Sequence, residues 1–280
     1  MFLLLIGKEP NLPAMKKFLI FSVLCISIFS TCSKVPITNR NQFTALPESQ
    51  LIAMALQQYQ GFIDSTGVVS GTSQAEMVKR VGQKLSAATV QFMNENKMGD
   101  RVANFKWEYN LVQSNDVNAW CMPGGKIVIY TGILPITQTE QGLAVVMGHE
   151  IAHAVARHGN ERMSQGLAAQ LGGVGLDIAL SQKPAATRNL FNLAYGVTAN
   201  YGVLLPYSRL QESEADKLGL IFMAMAGYDP NEAVPFWQRM AAASGGAAPP
   251  EFMSTHPSNE RRIKDIQKYL PTAMKYKKSQ

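Results

Sequence analysis

Three stretches of the chain carry apolar residues at the three- and four-residue spacing that one face of a helix requires. They run from Gln50 to Phe62, from Gln74 to Asn96 and from about Ser208 to Ala226. The last of them is followed by Gly227 and Pro230, which favour a helix end. The pattern therefore predicts three amphipathic helices.

The period changes to two near the middle of the chain. Apolar residues alternate with polar ones at Phe105, Trp107, Tyr109 and Leu111, and the β-branched run KIVIYTGIL follows. A Pro-Gly-Gly turn lies between the two runs and predicts an antiparallel hairpin. We therefore expect an α+β fold that is mainly helical and contains a small antiparallel sheet.

A helix with two histidines follows this sheet directly. Thr137 and Glu140 form a T-x-x-E capping box that predicts the helix start, and Gly159 is suited to its end. Within the helix the sequence reads HEIAH from His149 to His153. Four residues correspond to about 400° of rotation, so both imidazoles project from one face.

Two imidazoles in this arrangement can bind one Zn²⁺. Glu150 lies beside the first of them, where a carboxylate can accept a proton from a metal-activated water without binding the metal. His158 is about 500° round the helix from His153, so we expect it to point away and to lie at the helix C terminus. The spacing predicts a zinc hydrolase, and histidines on an ordinary amphipathic helix are the alternative.

A catalytic zinc needs a third protein ligand, which must come from another part of the chain. In SRLQESEADKLG, Glu212 and Asp216 share one helix face, whereas Glu214 points about 200° away. The small residues Ala215 and Gly219 beside the acidic pair suggest close packing against another helix. A solvated acidic patch near a helix N terminus is the alternative interpretation.

The composition is that of a folded protein with no evident nucleic-acid partner. The chain has 280 residues, of which 46% are hydrophobic and 16% are charged, as in one globular domain. The net charge of +6 comes partly from MKKFLIF and the tail KYKKSQ. Because no basic stripe with interleaved aromatic residues occurs, we expect no nucleic acid to bind.

The first 31 residues have the features of a secretory signal that effectively starts at Met15. Two lysines precede an apolar run from Phe18 to Phe29, which is too short to span a bilayer comfortably. Ser30 and Thr31 then precede Cys32, as in the lipobox of bacterial lipoproteins, although Phe29 replaces the usual leucine. We expect a lipid anchor on Cys32, and plain signal cleavage is the alternative.

The remaining organisation follows from this anchor. Residues 32–45 are polar and lack periodicity, so we expect a tether, and residues 46–280 form the catalytic domain. The Ala- and Gly-rich stretch 166–205 is interrupted by charged residues and a proline, which favours buried or lid-forming helices over a membrane span. Cys121 is expected to be a small buried hydrophobe.

Four segments together resemble metallopeptidase family forty-eight, a group of gluzincins. They read NAWCMPGGKIVIYTGIL, GHEIAHAVARHGNERMSQ, SRLQESEAD and STHPSNERRI. The resemblance covers most of the chain after the signal and implies a zincin-like metallopeptidase domain. It implies that Glu212 is the third zinc ligand and that Asp216 orients a zinc-binding histidine.

The same resemblance implies further site residues. It places His256 near the metal, where it either stabilises the oxyanion or closes the site as a fourth ligand, and it places Arg262 beside His256. It also implies that Asn118 and Ala119 lie on an edge strand that binds an extended substrate through main-chain hydrogen bonds.

The function implied is a zinc endopeptidase of the bacterial envelope, of the single-domain periplasmic lipoprotein type. We expect it to face the periplasm from a lipid anchor, with the outer membrane favoured, and to cleave misfolded or misassembled proteins. Envelope assembly machinery is a further expected partner. The alternative is a chaperone-like binding module with little or no proteolysis. The intact Glu150 favours the enzyme, because binding alone does not require it.

Overall fold

The structure is a computed structural model that describes residues 32–171, 185, 187, 194, 208–243, 251–256 and 260–277. Residues 1–31 and most of the stretch 166–205 lie outside the described residues, so the signal and the lid-forming helices stay predictions. Among the residues that are described, no helix is long and apolar enough to cross a membrane.

The strands are β1 (Cys32–Lys34), β2 (Asn41–Phe43), β3 (Val68–Val69), β4 (Glu108–Val112), β5 (Ala119–Met122) and β6 (Lys126–Tyr130). The helices are α1 (Glu48–Ser65), α2 (Ser73–Glu95), α3 (Leu134–Thr137), α4 (Glu140–Val155), α5 (His158–Leu171), α6 (Arg209–Met225), α7 (Ala233–Ala243), α8 (Glu251–Thr255) and α9 (Glu260–Ala273). The mainly helical α+β class is confirmed, and helices α1, α2 and α6 are the three that the periodicity predicts.

The four-stranded sheet differs in detail from the expected hairpin. Its strand order is β3-β4-β6-β5, in which β4 runs parallel to β6 and β5 runs antiparallel to β6. The predicted antiparallel pairing of the two β-rich runs is therefore wrong. The apolar segment from Ala119 to Met122, which lies between the two β-rich runs, is itself a fully buried strand and forms the antiparallel hairpin with β6. The resemblance alone indicated a strand here, at Asn118 and Ala119.

Helix α4 begins and ends at other residues than the sequence predicts. Its N-cap is Thr139, whose hydroxyl accepts a hydrogen bond from the Gly142 N–H at 3.1 Å, whereas Thr137 ends the short helix α3. The chain leaves α4 through Arg157, which has a left-handed backbone with φ of 60°. Gly159 lies inside the next helix, so it does not end α4.

Helix α4 is the centre of the molecule. Every residue of this helix from Gly142 to Val155 is buried. It packs against α2, α6 and β5, so its side chains are held from several directions. A helix that is apolar nearly all round and carries two histidines must place those histidines among other buried groups.

The predicted tether is a packed hairpin. Strands β1 and β2 pair antiparallel, and Val35 between them is fully buried. The Gln42 side chain donates to the Ala156 carbonyl at 2.9 Å, at the C-terminal end of α4. Arg101 joins the same two regions by donating to the carbonyls of Lys34 and Val155. Residues 32–45 are therefore fastened to α4, and the expectation of a free tether is wrong.

Candidate metal centre

Helix α4 presents its two histidines side by side, as the four-residue spacing predicts. The Nε2 atoms of His149 and His153 are 3.0 Å apart, and both rings are buried. Both nitrogens point toward the start of helix α6.

Helix α6 brings Glu212 to the same point. Ser208 caps this helix, and its hydroxyl and the Gln211 side chain form a reciprocal capping box. The Glu212 carboxylate lies 3.3 Å from His153 Nε2 and 3.5 Å from His149 Nε2. Glu212 is only 4% exposed, so the interpretation as a solvated acidic patch is wrong.

His256, directly after helix α8, completes the cluster. Its Nδ1 lies 2.9 Å from Glu212 Oε1 and 3.2 Å from His149 Nε2. Helix α8 is fixed to the loop before β5, because the Phe252 N–H donates to the Val117 carbonyl at 3.1 Å. The position of His256 therefore depends on this loop as well as on the helices.

These four residues fit a zinc ion. One donor atom from each of His149, His153, Glu212 and His256 lies within 4.8 Å of all the others. Four ligand atoms at 2.0 to 2.1 Å from a tetrahedral zinc are separated by about 3.3 Å. The separations quoted above scatter around that value, and two or three imidazoles with one carboxylate are typical zinc donors.

The protonation states also suit a cation. Burial lowers the pKa of His153 far below its usual range and that of His256 to about 4. Burial alone would raise the pKa of Glu212, but its neighbours His256, Arg262 and His149 hold it well below its usual range.

Burial alone would lower the pKa of His149, but the carboxylates of Glu212 and Asp216 raise it to about 9. His153 and His256 therefore offer neutral nitrogens, whereas binding of a metal to His149 would have to displace a proton.

Asp216 and Arg262 hold His149 in place. Asp216 Oδ1 lies 3.0 Å from His149 Nδ1, the ring nitrogen that faces away from the cluster. The Arg262 guanidinium donates to both oxygens of Asp216 at 2.8 and 2.9 Å and lies 2.8 Å from Glu212 Oε2. It also stacks over Trp237, 3.5 Å from the ring centre. One arginine thus orients two of the four clustered residues.

Glu150 lies next to the cluster without being part of it. Its carboxylate is 3% exposed, and Oε1 lies 3.5 Å from His256 Nε2. Burial, with the negative charge of Glu212, raises the pKa of Glu150 to about 8. A carboxylate whose pKa lies close to neutrality is suited to accept and to return a proton.

His158 contacts the site, contrary to the expectation that it points away. Its Nδ1 lies 2.9 Å from His153 Nδ1, and its Nε2 lies 3.1 Å from Glu214 Oε2. The rotation argument fails because it assumes one continuous helix, whereas the chain turns at Arg157 and His158 starts α5. The sequence reasoning also missed Glu214 and Arg40 as site residues, because no local pattern links them to the histidines.

Asn118 and Ala119 lie at the sheet edge, and both are buried. The Tyr130 N–H donates to the Asn118 carbonyl at 3.2 Å. The Ala119 N–H belongs to the same trans peptide group and points the opposite way from that carbonyl, so it faces away from β6. That N–H donates to the Asn118 side chain at 2.8 Å. Cys121 on the same strand is a buried thiol whose pKa is raised by burial, as expected.

Comparison with known proteins gives one family. The sequence profile described as Peptidase family M48 matches residues 72–270. The chain belongs to peptidase family M48. Members of this family use zinc, which agrees with the cluster of His149, His153, Glu212 and His256. Membership of the family makes the chain a metalloendopeptidase.

Relatives fall into two groups by name. Mitochondrial metalloendopeptidase OMA1 of Schizosaccharomyces pombe is 34% identical over 95% of this chain and 75% of its own length. Metalloendopeptidase OMA1 of Homo sapiens is 28% identical over 91% of this chain. A putative beta-barrel assembly-enhancing protease of Vibrio cholerae is 27% identical over 90% of this chain. The chain spans about half the length of these last two relatives.

Proposed function

We propose that the protein is a zinc endopeptidase that cleaves misfolded or misassembled proteins, with zinc held by His149, His153 and Glu212. The observation that carries the proposal is the meeting of these three side chains, two from α4 and one from α6, in a buried cluster. Family membership supports the same reaction.

The residues around the cluster have separable tasks in peptide hydrolysis. When bound, zinc supplies a Lewis acid that polarises the scissile carbonyl and acidifies a water. Glu150 takes a proton from the attacking water and returns it to the leaving amine, which its raised pKa suits. Asp216 keeps the Nδ1 proton of His149 in place, so that Nε2 stays available to the metal.

His256 has two positions in this proposal. With its Nδ1 2.9 Å from Glu212, it stands as a fourth donor, which closes the resting site. If zinc were bound by all four residues, the His256 ring would have to leave the cluster before a substrate and a water could reach the site. Outside the cluster it donates to the oxyanion that develops on the substrate.

The substrate binds as an extended peptide along β5. The supporting geometry is the outward Ala119 N–H at the edge of the sheet. For a peptide to pair there, this N–H must release its hydrogen bond to the Asn118 side chain and donate to a substrate carbonyl instead. Main-chain pairing of this kind selects unfolded segments with little regard to their side chains.

We place the protein in a bacterial envelope, anchored through Cys32 and facing the periplasm, with assembly machinery as a partner. The lipobox-like sequence before Cys32 and the bacterial relative named as a beta-barrel assembly-enhancing protease support this location. Fatty-acid labelling of the wild type and of the Cys32→Ser variant tests the anchor. Label in the wild type alone is expected, and no label in either protein contradicts the proposal.

A chaperone-like binding module is the second candidate, and the closed arrangement of His256 is the observation that favours it. Casein degradation by the wild type and by Glu150→Gln distinguishes the two. The endopeptidase predicts a rate at least about 100-fold lower in the variant. Equal clearance by both proteins contradicts the endopeptidase.

A further inference from the structure

Each zinc-binding histidine of α4 has a different group behind it. His149 has a carboxylate in direct contact, as metal-bound histidines usually do. His153 instead has a second histidine: its Nδ1 lies 2.9 Å from His158 Nδ1. The carboxylate comes one step further out, because Glu214 Oε2 lies 3.1 Å from His158 Nε2.

The hairpin formed by β1 and β2, called the N-terminal hairpin below, makes the outermost contacts of this series. Thr38 donates to Glu214 Oε1 at 2.7 Å, and Arg40 donates to both carboxylate oxygens of Glu214 at 2.9 to 3.2 Å. Arg40 also donates to Glu161 at 2.6 and 2.8 Å. Glu214 is fully buried, so this charge depends on the hairpin for neutralisation.

One arrangement of protons is consistent with the donor and acceptor roles of these contacts, from Glu214 through His158 to His153. Glu214 accepts hydrogen bonds from Thr38 and Arg40, so it is ionised and accepts the Nε2–H of His158 as well. A neutral His158 with its proton on Nε2 has a lone pair on Nδ1. His153 must then carry its own proton on Nδ1, which leaves its Nε2 lone pair directed at the metal cluster.

We propose that residues Thr38 and Arg40 of the N-terminal hairpin position the zinc ligand His153 through Glu214 and His158. These four are positioning residues, because none of them lies in the donor cluster. We call this series of contacts, from Thr38 and Arg40 through Glu214 and His158 to His153, the relay. It rests on the proposed metal site. It assigns a task to a hairpin that precedes the matched family segment, residues 72–270.

The chain offers matched variants. His158→Leu removes the acceptor for His153, whereas His158→Asn retains an oxygen near the position of Nδ1. Arg40→Gln removes the charge that holds Glu214. Arg101→Gln is the control, because Arg101 also ties the hairpin to α4, through Lys34 and Val155, but contacts no group of the relay.

The first measurement is the zinc affinity of each protein, obtained by competition with a chelator. Thermal unfolding of the same metal-free proteins is measured in parallel. We expect His158→Leu and Arg40→Gln to bind zinc about 10- to 100-fold more weakly, with His158→Asn between His158→Leu and the wild type. Arg101→Gln is expected to lower the unfolding temperature of the metal-free protein. Its zinc affinity should change by less than about threefold, which is well below the loss expected for Arg40→Gln. Equal zinc affinity of Arg40→Gln and Arg101→Gln overturns the relay.

A second measurement needs no variant that might misfold. Nitrogen-15 NMR of the zinc-loaded wild type reports the tautomer of each histidine, and we expect the proton of His158 on Nε2. A proton on His158 Nδ1 overturns the relay. The proposed metal site fails separately, if the wild type itself binds no zinc.

Discussion

Gly148 of helix α4 and Gly219 of helix α6 face each other where the two helices cross. A β-carbon at Gly219 would lie 3.0 Å from both the Gly148 carbonyl carbon and the His149 nitrogen. One at Gly148 would lie 3.1 Å from the Gly219 oxygen. Because these neighbours are helix backbone, the absence of both side chains allows α6 to approach closely enough for Glu212 to reach the histidines.

Replacing Gly219 by alanine should therefore weaken both the fold and the metal site. The added methyl group pushes α6 away from α4, and overpacking of this kind costs about 1 to 3 kcal/mol. We expect a lower free energy of unfolding in denaturant titrations of the metal-free protein and weaker zinc binding in chelator competition.

Gly61→Ala is the matched control for this prediction. Gly61 lies inside helix α1, and a β-carbon there meets no atom within 4 Å. Alanine in a helix interior is favoured over glycine by about 0.5 to 1 kcal/mol. The Gly61→Ala variant should have a higher free energy of unfolding than the wild type and the same zinc affinity. A Gly219→Ala protein that gains stability in the same way is incompatible with the close crossing.

Arg262→Lys should lower zinc affinity although the charge is conserved. The guanidinium donates to both oxygens of Asp216 and also reaches Glu212, and a single ammonium group cannot reproduce that fork. We expect zinc binding to weaken by about 10- to 100-fold, measured by competition with a chromophoric chelator.

The neighbouring Arg261→Lys serves as its control, because the Arg261 side chain is 80% exposed and pairs only loosely with Asp265 at 3.9 Å. It should bind zinc like the wild type. If both variants bind zinc equally well, Arg262 does not orient the ligands.

Glu161 should make stability depend on pH in the acid range. Burial alone would raise its pKa, but the hydrogen bonds from Arg40 and Gln211 outweigh burial and lower the pKa below its ordinary value of 4.5. A depressed folded-state pKa means that the stabilisation is complete above about pH 4.5 and is lost as the pH falls through the folded value.

Denaturant unfolding of the metal-free wild type and Glu161→Gln at several pH values measures this effect. The wild type should be more stable by about 2 kcal/mol at pH 7, as for a hydrogen bond to a charged group. The difference should shrink toward pH 3. A difference that is constant from pH 7 to pH 3 would show that ionisation of Glu161 does not stabilise the fold.

Much of the metal cluster could be predicted because it depends on helix geometry. The spacing of His149 and His153 decides that both rings share a face, and the spacing of Glu212 and Asp216 decides the same for α6. The small residue Gly219 correctly indicated a close helix partner. That Glu212 and His256 meet these histidines came from family resemblance, since periodicity says nothing about which helices touch.

The parts that sequence reasoning missed depend on contacts between distant residues. Arg40 pairs with Glu214, 174 positions away, and nothing in the polar segment around Arg40 reveals a buried partner. His158 was placed wrongly because a single left-handed residue, Arg157, ends one helix and redirects the chain. The start of α4 was misplaced because Thr137 and Thr139 both satisfy local capping rules, and only tertiary packing selects Thr139.

Zinc binding by the wild type and by Glu212→Gln tests the central claim most directly. Glu260→Gln, whose side chain is 93% exposed, is the control. The account predicts about one zinc per chain in the wild type and the control, and an affinity at least about 100-fold lower in Glu212→Gln. A Glu212→Gln protein that binds one zinc with wild-type affinity would contradict it.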